Sequence, residues 1–151
     1  IISVASLSAE RQDWMRELHR LYTDVEMDVP TRHPIRRMPF EDFEALNLGR
    51  QFLPAGFFVA LDGDRLAGLT EPLPVDNVPD AIQQNLTGVR SEYRGRGIAT
   101  ALKAQAAIWA AHAGYTSIRT QNAQSNAAML AVNNRLGFER DHATVEFLKT
   151  L

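Results

Sequence analysis

Residues 83–120 read as a strand, a turn rich in glycine and arginine, a helix and a second strand, and this unit restricts the fold more than any other part of the sequence. Two strands joined through a helix place that helix against a sheet face, so the chain is α/β. The flanking segments extend the pattern. Two apolar runs meet at Asp62-Gly63 within residues 56–73, a strong short-range hairpin signature. A polar, proline-bearing connection then leads to the strand at 83–90. Earlier, the apolar run of residues 1–7 is predicted as a strand that Ser8 closes as a helix cap. Trp14, Leu18, Leu21, Tyr22 and Val25 recur at helical spacing. Asp28 to Arg37 carries two prolines and reads as a loop, after which Pro39 starts a short helix over Glu41 to Leu46. The helix that begins near Gly97 stops at Gly114, residues 115–120 form a strand, and residues 125–138 form a capped helix ended by Gly137. Residues 143–149 make a last strand, with room for one more short strand near Phe138. The expected architecture is one domain over residues 1–151, with a mixed, largely antiparallel central sheet flanked by helices.

Composition narrows the chemistry. Without cysteine there is no disulfide, thiolate metal site or cysteine nucleophile. Sixteen Lys and Arg against 18 Asp and Glu argue against a broad nucleic-acid surface, so any anion site is local. No apolar run approaches the roughly 20 residues of a membrane span, and a cytoplasmic location is expected. The four histidines lack paired helical spacing, so no metal site is expected.

The local anion site is the turn itself. The first turn of a helix leaves backbone N–H groups unpaired and concentrates positive partial charge. Gly95 and Gly97 remove side chains that would hold a phosphate away from those groups, while Arg94 and Arg96 add charge. A solvated basic turn is the plain alternative. A Walker A loop lacks its Gly-Lys-Ser/Thr here, and a dinucleotide fingerprint lacks its third glycine, since Thr100 stands there.

The run Val89-Arg90-x-x-x-Arg94-Gly95-Arg96-Gly97-Ile98-Ala99 resembles the acetyl-CoA pyrophosphate loop of the GNAT superfamily of N-acetyltransferases. Asn122-x-x-Ser125-Asn126-x-x-Met129-x-x-x-Asn133-x-x-Leu136-Gly137-Phe138 resembles the second half of that family's cofactor site. The resemblance implies a GNAT-like fold with splayed strands at the acetyl-CoA site, and pantetheine threading between the strands of Val89 and Ile118. It also implies that Arg90, Arg94, Gly95, Arg96, Gly97, Ile98, Ala99 and Thr100 hold the cofactor with Val89, Asn126 and Asn133. The Val89 N–H would polarise the thioester carbonyl. Asn133 stands where many members carry a tyrosine that protonates the departing thiolate, and its amide would steady that thiolate instead.

For the general base, Glu71 is the best acidic candidate, against the alternative of a solvated strand end before Pro72. Asn85 and Thr87 would at most order a water, and Glu92 would balance the arginines of the turn. His33 with Arg32, Arg36 and Arg37 is a candidate contact for an anionic substrate or simply a solvated basic loop. The expected activity is direct transfer of acetyl from acetyl-CoA, as co-substrate, to a small-molecule or peptide amine. A non-catalytic acyl-CoA-binding or regulatory module is the alternative, and a nucleotide-phosphate-binding domain a third reading. Neither nucleic acid nor membrane is expected as a partner, and a homodimer is left open.

Overall fold

Among the described residues five strands run through the sheet in sequence order, each antiparallel to the next except for the last pair, which is parallel. A computed structural model describes residues 1–30, 35–47, 49 and 51–141. The elements are β1 (Ile2–Ser3), α1 (Val4–Glu10), α2 (Trp14–Glu26), α3 (Phe40–Asn47), β2 (Phe58–Asp62), β3 (Arg65–Val75) and β4 (Val78–Val89). After a 3₁₀ turn (Ser91–Tyr93) come α4 (Ile98–His112), β5 (Ser117–Thr120) and α5 (Ala127–Arg135). The crossover through α4 makes β4 and β5 parallel, as the strand-helix-strand reading requires.

Helices cover both faces. On one, Leu18, Leu21 and Val25 of α2 pack with Phe43, Leu69 and Leu86. On the other, Leu102 and Ala106 of α4 pack with Phe58, Ala67 and Val89. Gly88 lets α2 sit close to β4, since a Cβ there would lie 2.5 Å from the Cβ of Val25.

Three expectations need correction. The first seven residues are not one strand: pairing stops at Ser3, whose Oγ accepts the Ser6 N–H at 3.1 Å and caps α1, so Ser8 lies inside that helix. Val4 and Leu7, three apart and fully buried, share one face of a helix where a strand would point them to opposite faces, and the cap at Ser3 starts that helix. The proline-bearing connection before residue 83 is likewise strand. β3 and β4 form one long hairpin that turns at Asp76-Asn77, with Asn77 at a φ of 61°. Prolines 72, 74 and 79 weakened that reading because proline removes a ladder donor, yet Pro72 and Pro74 keep their places opposite Gln84 and Ile82. Finally, Phe138 lies in irregular backbone after α5 rather than in a strand. The expected strand at 143–149 falls outside the described residues.

Candidate functional site

The pairing of β4 with β5 ends at Gln84 and Thr120, while β4 runs on to Val89 held by β3 alone. From Asn85 onward β4 therefore has an open edge. A cavity of about 90 Å³ lies there, walled by Asn85, Leu86 and Thr87 on one side and by residues 120–123 on the other. Asn126 and Met129 line it from α5 and Lys103 from α4. The Arg90 N–H donates to the Ala67 carbonyl at 2.9 Å. Antiparallel ladders alternate inward and outward groups, so this bond turns the N–H groups of Val89 and Thr87 toward the open edge. The Val89 carbonyl, on that same side, accepts Arg94 Nε at 3.0 Å. Thr87 lines the cavity and Val89 does not.

A bulge shapes the site. Thr70 pairs with Thr87 and Pro72 with Gln84, so Glu71 alone faces two residues, Asn85 and Leu86. An extra residue breaks the strand's alternation and re-aims a side chain. Here Asn85 Nδ2 donates to Glu71 Oε2 at 2.7 Å, and the Tyr22 hydroxyl donates to the same oxygen at 3.3 Å. Glu71 is 8% exposed and sits within β3, so the solvated strand end does not apply. Burial pushes its carboxyl above the usual carboxylate range, partly opposed by the two hydrogen bonds. Burial, with the adjacent Glu71, pushes the Tyr22 phenol far above its ordinary value, so it remains a donor. Asn85 thus holds the carboxylate rather than a water, and Thr87 Oγ1 meets Thr70 Oγ1 at 2.8 Å.

The glycine-arginine turn has the backbone of an anion cradle. Gly95 and Gly97 adopt φ of +74° and +79°, which side chains disfavour, and nothing lies within 4 Å of where their Cβ atoms would project. Gly97 is the N-cap of α4 and no side chain caps it, so the first-turn N–H groups of Ile98, Ala99 and Thr100 face the cradle without a side-chain acceptor. The arginines are tied within the chain. Arg90 pairs with Asp24 at 3.1 Å, Arg94 with Asp28, and Arg96 lies over the Tyr93 ring at 5.6 Å. Glu92 pairs with Arg65 at 2.7 Å rather than with these arginines.

On α5, Asn126 itself is the N-cap: its Oδ1 accepts the Met129 N–H at 3.2 Å, the role that Ser125 was free to fill. Asn133 is buried and donates Nδ2 to Asn122 Oδ1 at 2.7 Å, while its own Oδ1 is buried without a partner among the described residues. Asn122 lines the cavity and Asn133 does not. His33 and Arg32 lie outside the described residues, and Arg37 pairs with Asp24 at 3.3 Å. Among the described residues no group of histidines or acids is placed to hold a metal, and no helix is long and apolar enough to cross a membrane.

Sequence reasoning missed Lys103. It is 2% exposed, and burial brings its ammonium down to about 8. Its signal was present: it is the sole lysine, arginine or acid in α4, beside the apolar stripe of Leu102, Ala106 and Ala110.

A model of the acetyltransferase (GNAT) family matches residues 12–138. No protein of curated function matches the chain in sequence. Among solved structures, the aminoglycoside N-acetyltransferase AAC(6')-Iy in complex with the bisubstrate analog CoA-S-monomethyl-acetylneamine superposes with a TM-score of 0.67 at 17% identity. That match covers 93% of this chain and 94% of the other. The ribosomal-protein-S18-alanine N-acetyltransferase from Escherichia coli gives 0.66 at 18% identity, covering 87% of this chain and 76% of that one. An N-acetyltransferase from Staphylococcus aureus Mu50 gives 0.71 at 17% identity, covering 85% and 79%. At these identities the likeness is one of fold.

Proposed function

Because the chain belongs to the GNAT family of acetyltransferases, we propose that it transfers acetyl from acetyl-CoA directly to an amine in a ternary complex. The observation that carries this reading is the parting of β4 from β5 after Gln84 and Thr120, which opens a cavity on the strand edge, in a chain whose next helix, α4, starts without a side-chain cap. An acyl-CoA needs both: a slot whose edge pairs with pantetheine amides, and a backbone cradle for its diphosphate. The residues fit that molecule. The N–H groups of Ile98, Ala99 and Thr100 take the phosphate oxygens at the glycines, with Arg94 and Arg96 alongside and Arg90 bracing the turn through Asp24. Asn126, whose Oδ1 is engaged by α5, offers its Nδ2 to the pantetheine arm.

In this reading the outward N–H of Thr87 or Val89 polarises the thioester carbonyl and stabilises the oxyanion. Glu71 takes the proton of the attacking amine, held in place by Asn85 and Tyr22. Asn133 acts through Asn122, fixing a cavity wall, because that bond already occupies one of its N–H groups. Acceptors of similarly folded proteins include an aminoglycoside and a ribosomal protein, and here the acceptor is a small-molecule or peptide amine.

The test is acetyl-CoA with a panel of primary amines and N-terminal peptides, read by mass spectrometry. An acetylated product formed without an acetyl-enzyme adduct supports direct transfer, while a stoichiometric adduct that chases to product overturns it. Tight CoA binding with no product from any amine favours the regulatory reading, which Asn133 in the tyrosine position motivates.

A further inference from the structure

A buried ammonium without a counter-ion is costly, and proteins rarely keep one unless it has a task. Lys103 lines the cavity beside β4, yet among the described residues no carboxylate lies within ion-pair distance of its Nζ. The rest of the cavity lining is neutral. Among the described residues, the Phe138 ring favours its charge, with its centroid 5.0 Å from Nζ. The stripe of Leu102, Ala106 and Ala110 shows that α4 packs well with apolar residues, so packing does not call for a lysine next to it. The anion that Lys103 answers is therefore one that arrives with a ligand. CoA brings two kinds of negative charge to such a site, and its phosphates belong at the start of α4, about 9 Å along the helix from Lys103. The other is sulfur.

We propose that Lys103 protonates the departing CoA sulfur, so that the acid of this enzyme stands on α4 and not at Asn133 of α5. Asn133 is absent from the cavity lining and its Nδ2 is engaged by Asn122, whereas Lys103 lines the cavity itself. As the amine closes on the thioester carbon, the C–S bond breaks and its electron pair stays on sulfur. A proton passes from the Lys103 ammonium to that sulfur, giving the thiol and a neutral amine. The proton lost by the attacking nitrogen leaves through Glu71, and Lys103 regains one from solvent, so amine plus thioester becomes amide plus thiol. Burial has already brought Lys103 to about 8, close to a thiol's ordinary range, so the transfer is nearly level.

This inference rests on the acetyl-transfer reading, and a binding experiment separates the two. Calorimetry on the whole chain compares CoA, desulfo-CoA and acetyl-CoA. Wild type should bind CoA about tenfold more tightly than desulfo-CoA through a thiolate–ammonium pair. In Lys103→Met that preference should vanish, with acetyl-CoA affinity kept within about twofold, which also certifies the fold. Lys103→Arg should keep the preference for CoA but lose turnover, because arginine holds its proton. A preference for CoA that survives in Lys103→Met overturns the inference while leaving acetyl transfer intact, as does loss of acetyl-CoA binding along with CoA, which would make Lys103 a packing residue. Failure of wild type to bind either CoA or acetyl-CoA overturns both.

Discussion

Glu71 and Lys103 are both buried ionisable groups beside β4, one beneath α2 and one on α4, and their surroundings differ in kind. Glu71 is furnished by the chain: Tyr22 and Asn85 donate to one of its oxygens, and a strand bulge exists to bring Asn85 there. Lys103 is furnished with neutral cavity lining and one aromatic ring. The Glu71 carboxylate is held in one position by its own chain. An ammonium without an anion is a site half made, completed by what binds. In the proposed reaction these are the base and the acid, on either side of the strand that carries the cavity wall.

The comparison breaks first at Glu71. Glu71→Gln should lower kcat/KM for the acceptor found in the amine panel by about 10²–10⁴-fold, with acetyl-CoA affinity little changed. The wild-type acidic limb, which requires the ionised carboxylate, should lie above the ordinary carboxylate range and vanish in this variant. A wild-type rate flat through that region would remove Glu71 from the reaction.

The second effect is on stability. The Lys103 pKa in the folded chain is depressed from 10.5 to about 8, so burial of its charge destabilises the fold fully below about 8. That penalty is relieved as pH rises from the folded value toward the unfolded one. Lys103→Met should therefore raise stability near neutral pH by up to roughly 3 kcal/mol, and the gain should shrink above about pH 8. Thermal unfolding at neutral pH and at about pH 9.5 reads this. A gain independent of pH would mean that the lysine is not carrying a buried charge.

A control that touches neither group should leave the contrast untouched. Gly97→Val forces a β-branched residue into a left-handed backbone and disturbs the cradle. CoA affinity should fall about tenfold. Binding of a pantetheine fragment, and the acidic limb of the rate profile, should stay as in wild type. Equal losses for CoA and the fragment would place the diphosphate elsewhere. The smallest effect separates the two donors to Glu71. Each bond favours the ionised carboxylate, so losing either moves the acidic limb to higher pH. Asn85→Ala, at 2.7 Å, should move it further than Tyr22→Phe, at 3.3 Å. The reverse order would show that the phenol, not the bulge, tunes the base.

The backbone of the glycine-arginine turn was legible residue by residue because its physics is local: left-handed glycines and the first turn of a helix need only a few consecutive positions. The strand-helix-strand unit and the cap-to-glycine span of α5 were legible for the same reason, since period and punctuation are properties of the chain itself. Over residues 1–7 the cap at Ser3 decided, and across Pro72 and Pro74 the pairing of β3 with β4 did. The side chains proposed as acid and base were of another kind. Glu71 was named from sequence as a lone acid, but its burial, its partners on α2 and β4 and its raised pKa follow from one bulge between strands. Asn133 matched a motif, and its bond to Asn122, eleven residues away, appears only in the folded chain. Lys103 stood unremarked in an apolar helix, because a lysine's cost and purpose depend on what surrounds its far end. Sequence by itself determined where left-handed glycines open a helix start that no side chain caps. Which side chains are buried, paired or left facing the cavity was decided by packing, because desolvation and hydrogen bonding act between segments distant in the chain and exist only once the sheet and its helices have closed on one another.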